Sequence, residues 1–506
     1  MAGDVYFSGE RFDAAAFADA AACAATGLQA LGAADGCAAL LLRHDVTFLV
    51  ASEAARQAGA ITLPINWHLK ADDVAYILED SGAGILIAHA DLWRGLADAL
   101  PGQLHDRLKV IVVPTPAAIC AAFKIDPAMA AAPPGAQVWS AFVDDNAQIA
   151  APTTTARYPL IYTSGTTGRP KGVQRLAASR PERVAYDAFF EPGMRTLLAA
   201  PLYHSAPNRF LQGTFQAGGT LVLPDRFDAE ATLQQIEHHR ITTTFMVPAM
   251  LQRLIRLPAN TRAAYDVSSL RHVVIAGAPC PVDLKAAMID WWGPVIYEYY
   301  GSTETSALTF ATSADALARP GTVGRAVATA RIAILDDARM PCPPGVSGEI
   351  FGRRDDIPDF TYLNAPDARA QAGAGDLVSV GDIGFLDADG FLFLSDRKID
   401  MIISNGVNVY PAQVEAAILS HDAVADCAVF GVPDPSAGEA VAAIIQTVDA
   451  GILDPDALTA FLRRKIPSYM VPNRIEQWRD FPRDESGKIR KKDLRAQFWR
   501  GHDRNI

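Results

Sequence analysis

The sequence predicts an α/β protein with parallel sheets, followed by a smaller α+β unit. Three observations lead there. Short apolar runs alternate with longer stretches of helical period, turn residues cluster just past the apolar runs, and the texture changes to short strands after about Arg331. Alternation of the first kind implies parallel strands covered by helices.

In order, Ala38–Leu42 reads as a buried strand, Val46–Gly59 as a helix and Ala60–Ile65 as a second strand, one βαβ unit. Gly84–Ala88 and Lys109–Val113 extend it, and residues 114–157, rich in Pro and Ala with little periodicity, read as a long surface connection. A second α/β run follows, with strands Thr196–Ala200, Thr220–Leu223, Thr242–Val247, Arg271–Ile275 and Val295–Tyr299 and helices Ala229–Arg240 and Pro281–Trp291. Ligands of open parallel sheets gather at the carboxyl ends of strands. Three polar clusters stand at such ends: Pro201–Pro207, Ala276–Pro279 and Tyr300–Glu304. Strands Arg331–Leu335, Gly348–Phe351 and Phe391–Leu394 then form a small β subdomain, and a boundary near residue 396 divides the chain into 1–396 and 397–506.

Composition narrows the function. The 506 residues are 50% hydrophobic and 20% charged, which suits a folded chain of about three subdomains. A net charge of −12, with no basic stripe beyond Lys488–Arg495, argues against a nucleic-acid partner. The six cysteines are scattered, without a Cys-x-x-Cys pair, so neither a zinc site nor a disulfide framework is expected. The Ala-rich stretch 14–31 follows Asp4, Glu10 and Asp13 and contains Asp19, which is unlike a secretory leader. No run reaches the roughly 18 apolar residues of a membrane span. The expectation is a cytoplasmic protein with no integral membrane part.

The most informative stretch is Tyr162–Val173. After the apolar Leu160-Ile161 come Thr163, Ser164, Gly165, Thr166, Thr167, Gly168, Arg169, Pro170 and Lys171. Glycine admits close backbone approach, successive N–H groups can form an anion cradle, and hydroxyls and cations add to it. The composition is that of a phosphate loop, although the Walker spacing is absent. Alone, such a stretch would read as a solvated turn.

It does not stand alone. With Tyr300-Gly301-Ser302-Thr303-Glu304, Gly381-Asp382 with Arg397, and Ser486-Gly487-Lys488-Ile489, it makes four motifs in order over residues 162–489. Together they resemble the adenylate-forming superfamily of acyl-CoA synthetases, firefly luciferase and peptide-synthetase adenylation domains. The resemblance implies a large N-terminal domain, a mobile C-terminal domain, and two half-reactions: a carboxylate attacks the ATP α-phosphate, then a thiol displaces AMP. It implies that Thr163–Lys171 hold the β- and γ-phosphates, that Thr303 donates to the α-phosphate, and that Glu304 holds Mg²⁺. Tyr300, beside Gly301, would offer a face to adenine, with Gly277 and Ala278 also at the nucleotide; Asp382 and Arg397 would contact the ribose. Lys488 would bridge carboxylate and α-phosphate, whereas as one cation of a basic run it would only solvate a face. Gly406 would border the pantetheine tunnel, and Ile399 stands at the hinge. His204 matches an aromatic or histidine gate beside the acid, against the plainer reading of a surface histidine in a Pro-rich turn.

Three positions depart from the family pattern. The hinge, usually Asp or Lys, is Ile399; Asn405 replaces a glycine; and Ala437 stands where many relatives place an aromatic for the CoA adenine. The reading is therefore an acid–CoA ligase using ATP, Mg²⁺ and coenzyme A. Alternatives are an enzyme loading a separate carrier protein, a luciferase-type monooxygenase and a nucleotide binder without catalysis. A candidate acyl lining of Ala206, Asn208, Phe210, Ala276, Gly277 and Ala278, beside His204, is small to medium and largely apolar, which favours a fatty or bulky hydrophobic acid, then an aryl acid of hydroxycinnamate type. A homodimer stays open.

Overall fold

The computed structural model describes residues 3–146, 157–163, 169–176, 189–397, 400–404, 407–434, 438–448, 451–483 and 489–500. Five parallel strands form the first sheet, in the order Ile61–Pro64, Cys37–Leu41, Ile85–His89, Lys109–Val113, Gln137–Val138. Their near-continuous burial is what a parallel sheet covered on both faces demands. The connection 114–157 is not structureless. Residues Ala117–Phe123, Pro127–Ala130 and Trp139–Asp144 are helical, and Gln137–Val138 joins the sheet. These helices are short and bury few residues, Ile119 in the first, none in the second, Trp139 and Phe142 in the third, too few for a helical period to appear in the sequence.

The second sheet is the frame of the molecule. Val5–Phe7, Thr220–Leu223, Arg195–Leu197, Thr243–Met246, His272–Ile275 and Ile296–Ser302 lie side by side in parallel. Ser306–Ala311 then turns antiparallel, followed by Thr322–Ala326, Phe391–Arg397, Asp382–Leu386 and Gly348–Arg354. The small β subdomain thus continues the large sheet through one hairpin. A third sheet has three antiparallel strands, Phe360–Tyr362, Lys171–Arg175 and Ile161–Thr163. The C-terminal sheet pairs Val407–Val409, Ile402–Ser404, Gly438–Thr447 and Val424–Asp434, with Arg474–Gln477 parallel to Gly438–Thr447.

Under the large sheet, helix Val282–Trp292 places Lys285 against Glu298, with side chains 5% and 3% exposed. Lys285 Nζ also donates to the Thr322 carbonyl at 3.2 Å, joining helix and two strands. Burial pushes the Glu298 carboxyl up, against the pull of Lys285. Breaking a buried pair leaves one charge uncompensated, at a cost of about 3–5 kcal/mol. Lys285→Met is expected to lose that much at pH 7. The sign with pH follows from linkage. A carboxyl raised in the folded state contributes most below its unfolded value and loses that contribution as pH rises through the folded one. The deficit of Lys285→Met therefore narrows as pH falls from 7 to 5, measured by urea unfolding at both.

Candidate active site

The site forms where the carboxyl ends of the large sheet meet the three-stranded sheet. Thr163 and Lys171 are opposed in register on adjacent antiparallel strands; Ser164, Gly165, Thr166, Thr167 and Gly168, expected to form a phosphate loop, lie outside the described residues. The strand pair is anchored from below. Tyr162 donates its hydroxyl to Asp80 Oδ2 at 2.6 Å, and Arg169 lies 4.8 Å over the Tyr76 ring. A Cβ on Gly172 would meet the Tyr162 ring at 3.0 Å, so the strand after Lys171 can lie this close to Tyr162. Lys171 Nζ stands 5.3 Å from the centre of the Tyr362 ring, a cation–π distance.

The second part is the hairpin of Ile296–Ser302 and Ser306–Ala311, whose turn carries Thr303 and Glu304. A Cβ on Gly301 would fall 2.0 Å from the Ser306 carbonyl oxygen, so only glycine permits this approach, and Ser306 takes the left-handed backbone (φ 60°) to complete it. Ser302 and Thr305 exchange hydrogen bonds across the turn: each backbone N–H donates to the other's hydroxyl at 3.1 Å. Thr303 Oγ1 donates to Ser205 Oγ at 3.1 Å, at the start of helix Ser205–Gln216. A helix start carries unpaired N–H groups and positive dipole, so it suits an anion beside Thr303. Glu304 is 7% exposed, and Tyr362 donates to its Oε1 at 3.0 Å.

On the far side, Tyr300 donates its hydroxyl to Asp382 Oδ2 at 2.8 Å, and Asp382 opposes Arg397 in register. Tyr300 is 9% exposed and packs with Leu308, Val323 and Leu392, so the sheet core fixes where it holds Asp382. Gly277, with φ +88°, ends the turn after Ala276, which is buried, and before Ala278. His204 is exposed and immediately precedes helix Ser205–Gln216, beside half-buried Ala206. Asn208 is a different matter. It is 2% exposed, donates to the Leu202 carbonyl at 3.1 Å and accepts from Gln212 at 2.6 Å, so its amide pins the loop leading to His204. The same Leu202 donates its N–H to His44 Nε2 at 2.9 Å. Lys488, Gly406 and Ile399 lie outside the described residues.

Three contributors escaped the sequence reading. Arg175 donates to the Thr303 carbonyl at 2.6 Å, Tyr362 holds Glu304, and His44 holds Leu202. None lies in a motif; Arg175 alone had a signal, as a second cation near the phosphate loop.

Residues 4–357 match the AMP-binding enzyme family, and residues 413–488 match the AMP-binding enzyme C-terminal domain. The chain belongs to the AMP-binding enzyme family. It lies in the adenylate-forming superfamily that the motifs resemble. Among curated relatives of this AMP-binding enzyme, a feruloyl-CoA synthase of Amycolatopsis is 33% identical, spanning 94% of this chain and 91% of that protein. A long-chain-fatty-acid–CoA ligase of Mycobacterium tuberculosis is 31% identical, spanning 93% and 90%. Among solved structures, the amide bond synthetase McbA of Marinactinospora thermotolerans superposes with a TM-score of 0.82 at 27% identity, over 98% of this chain and 97% of that one. The o-succinylbenzoate CoA synthetase of Bacillus subtilis, in complex with its acyl-adenylate intermediate, gives 0.79 at 25%, over 100% and 96%. No described helix is long and apolar enough to cross a membrane.

Gly301→Ala tests the hairpin. Forcing the Ser306 carbonyl away is expected to cost about 1–3 kcal/mol, as overpacking does. A drop in thermal midpoint together with at least tenfold slower ATP turnover is the expected outcome, read by scanning fluorimetry and pyrophosphate release.

Proposed function

We propose that this AMP-binding enzyme joins a hydrophobic carboxylic acid to coenzyme A, with ATP cleaved to AMP and pyrophosphate. The observation that carries the reading is that Lys171 and Glu304, from distant segments, meet at Tyr362, while Thr303, next to Glu304, donates to Ser205 at the start of helix Ser205–Gln216. Lys171 and the phosphate loop would hold the β- and γ-phosphates, and Thr303 the α-phosphate. The acid's carboxylate attacks the α-phosphorus and pyrophosphate leaves; the CoA thiol then attacks the acyl carbon and AMP leaves. Tyr300 would face adenine, with Gly277 and Ala278 beside it and Asp382 and Arg397 at the ribose.

The residues present suit a magnesium ion. Glu304 offers a hard carboxylate oxygen, and among the described residues no group of three or more His, Cys, Asp or Glu could hold a metal. Magnesium commonly binds through one or two carboxylates plus substrate phosphates, so Glu304 would share it with ATP. Its charge would offset that of the phosphates.

The division into 1–396 and 397–506 is part of the same proposal. Buried clusters drawn from residues 402–498 form cores separate from those of the large domain. Lys488 would act in the first half-reaction, Ile399 would absorb the rotation between them, and Gly406 would line the thiol's approach. Six free cysteines accord with a cytoplasmic setting.

For the acid, the small apolar residues Ala206, half-buried two positions after His204, and Ala276, buried at the end of strand His272–Ile275, would suit a bulky hydrophobic chain. One observation favours an aryl acid as the second reading. Rings of Phe190, Phe210, Phe245 and Tyr299 succeed one another at 5.3, 5.3 and 6.4 Å beside helix Ser205–Gln216, and aromatic rings pack well against one another edge to face. Pyrophosphate release over a panel of fatty and aryl acids, then acyl-CoA detected by mass spectrometry, tests both. Failure of every acid, or product with an amine but none with CoA, would overturn the proposal.

Lys488→Ala is expected to slow adenylation by about 10²–10³, the cost of about 3–4 kcal/mol for one lost electrostatic stabiliser. Thioester formation from supplied acyl-adenylate should be largely spared. Equal loss in both half-reactions, followed separately by quenched flow, contradicts the role.

A further inference from the structure

We propose that Tyr362 is a positioning residue that sets the metal-binding carboxylate of Glu304 against the phosphate loop; the inference rests on the adenylating function proposed above. Tyr362 is in none of the four motifs. It lies at the end of strand Phe360–Tyr362, which pairs with Lys171–Arg175 so that Tyr362 opposes Val173, two residues past Lys171. Its side chain is 8% exposed and meets both functional charges: the hydroxyl donates to Glu304 Oε1 at 3.0 Å and the ring lies 5.3 Å from Lys171 Nζ.

This geometry has two chemical consequences. One carboxylate oxygen of Glu304 already accepts a hydrogen bond, so the carboxylate is oriented and Oε2 is the oxygen with the greater capacity left for a cation. The second concerns charge. A carboxylate and an ammonium brought together in a half-dry site would pair directly and withdraw each other from the ligand. A phenol between them gives the carboxylate a neutral donor and the ammonium a π-face, so both charges stay committed to phosphate and metal. Arg175, on the same strand as Lys171, reinforces the clamp at the Thr303 carbonyl and at the Pro358 carbonyl, at 2.6 and 3.2 Å. The three-stranded sheet thus holds both Thr303 and Glu304 through the strands that carry Lys171 and Tyr362.

The test uses Tyr362→Phe, which keeps the ring beside Lys171 and its packing against Phe360 but removes the donor, and Tyr362→Leu, which removes both. The readout is Mg²⁺-dependent ATP binding by titration calorimetry on the full chain, alongside pyrophosphate release. For Tyr362→Phe the Mg²⁺ concentration giving half-maximal ATP binding should rise about tenfold, the scale of a lost hydrogen bond to a charged group, while metal-free ATP binding stays at the wild-type value. Tyr362→Leu should weaken metal-free binding as well. If Tyr362→Phe also loses stability, the Glu304→Gln background decides. There, the added Tyr362→Phe change should leave Mg²⁺ dependence where Glu304→Gln put it, whereas a merely structural tyrosine shifts both backgrounds equally. Wild-type Mg²⁺ dependence in Tyr362→Phe overturns the inference. Absence of acid-dependent pyrophosphate release from the wild-type enzyme overturns the functional reading instead, so the two failures are distinguishable.

Discussion

A carboxylate buried to within 7% of full occlusion has to be held by its neighbours or it becomes a liability, and Glu304 is held from three directions. The strand Lys171–Arg175 grips the turn through Arg175, the strand Phe360–Tyr362 grips the carboxylate through Tyr362, and Gly301 lets the hairpin close beneath both. Removing an ionised carboxylate from water costs several kcal/mol unless donors replace the lost hydration. Tyr362 is such a donor, and a ligand cation would supply the rest. The remainder of the fold can be understood as the scaffold that brings these three segments, more than 180 residues apart at their extremes, to one point.

The same logic operates where the two parallel sheets meet. At the carboxyl ends of the first sheet, His89 Nδ1 accepts from the Arg43 N–H at 3.1 Å, which leaves Nε2 to donate to Asp45 Oδ2 at 3.0 Å. Asp45 also caps helix Val46–Gln57 by accepting from Phe48 N–H at 2.8 Å. Arg43 pairs with Asp91 through both terminal nitrogens and lies 4.6 Å over Trp67. Next to this network, burial lowers His44 to about 4, keeping it neutral and able to accept from Leu202. Directional polar bonds of this kind specify one relative placement of two sheets, which apolar packing alone does loosely. The loop before His204 inherits that placement, because Asn208 holds the other side of the Leu202 peptide.

Much of this was legible in the residues. Apolar runs located most of the parallel strands to within three residues at each end, though not the short Val5–Phe7 and Gln137–Val138, because a long strand buried on both faces has no other composition available. Glycine and hydroxyl patterns point to Lys171, the Thr303–Glu304 turn and Asp382 as a group, because such chemistry needs particular atoms at close sequence spacing. The helices within 114–157 leave no such trace, since at most two buried residues in each make no period. Asn208 reads from the sequence as a lining residue, and the fold shows its amide bonded to Leu202 and Gln212.

By itself the sequence determined the family, the α/β order and the identity of the charged and hydroxyl groups, since each is written in local composition and short-range spacing. Tertiary structure alone decided which groups hold those residues in place. Tyr362 reaches Glu304 across 58 residues, Arg175 reaches Thr303 across 128 and His44 reaches Leu202 across 158. No local pattern encodes such pairs, because a hydrogen bond between distant segments depends on strand pairing and sheet packing that exist only once the chain has folded.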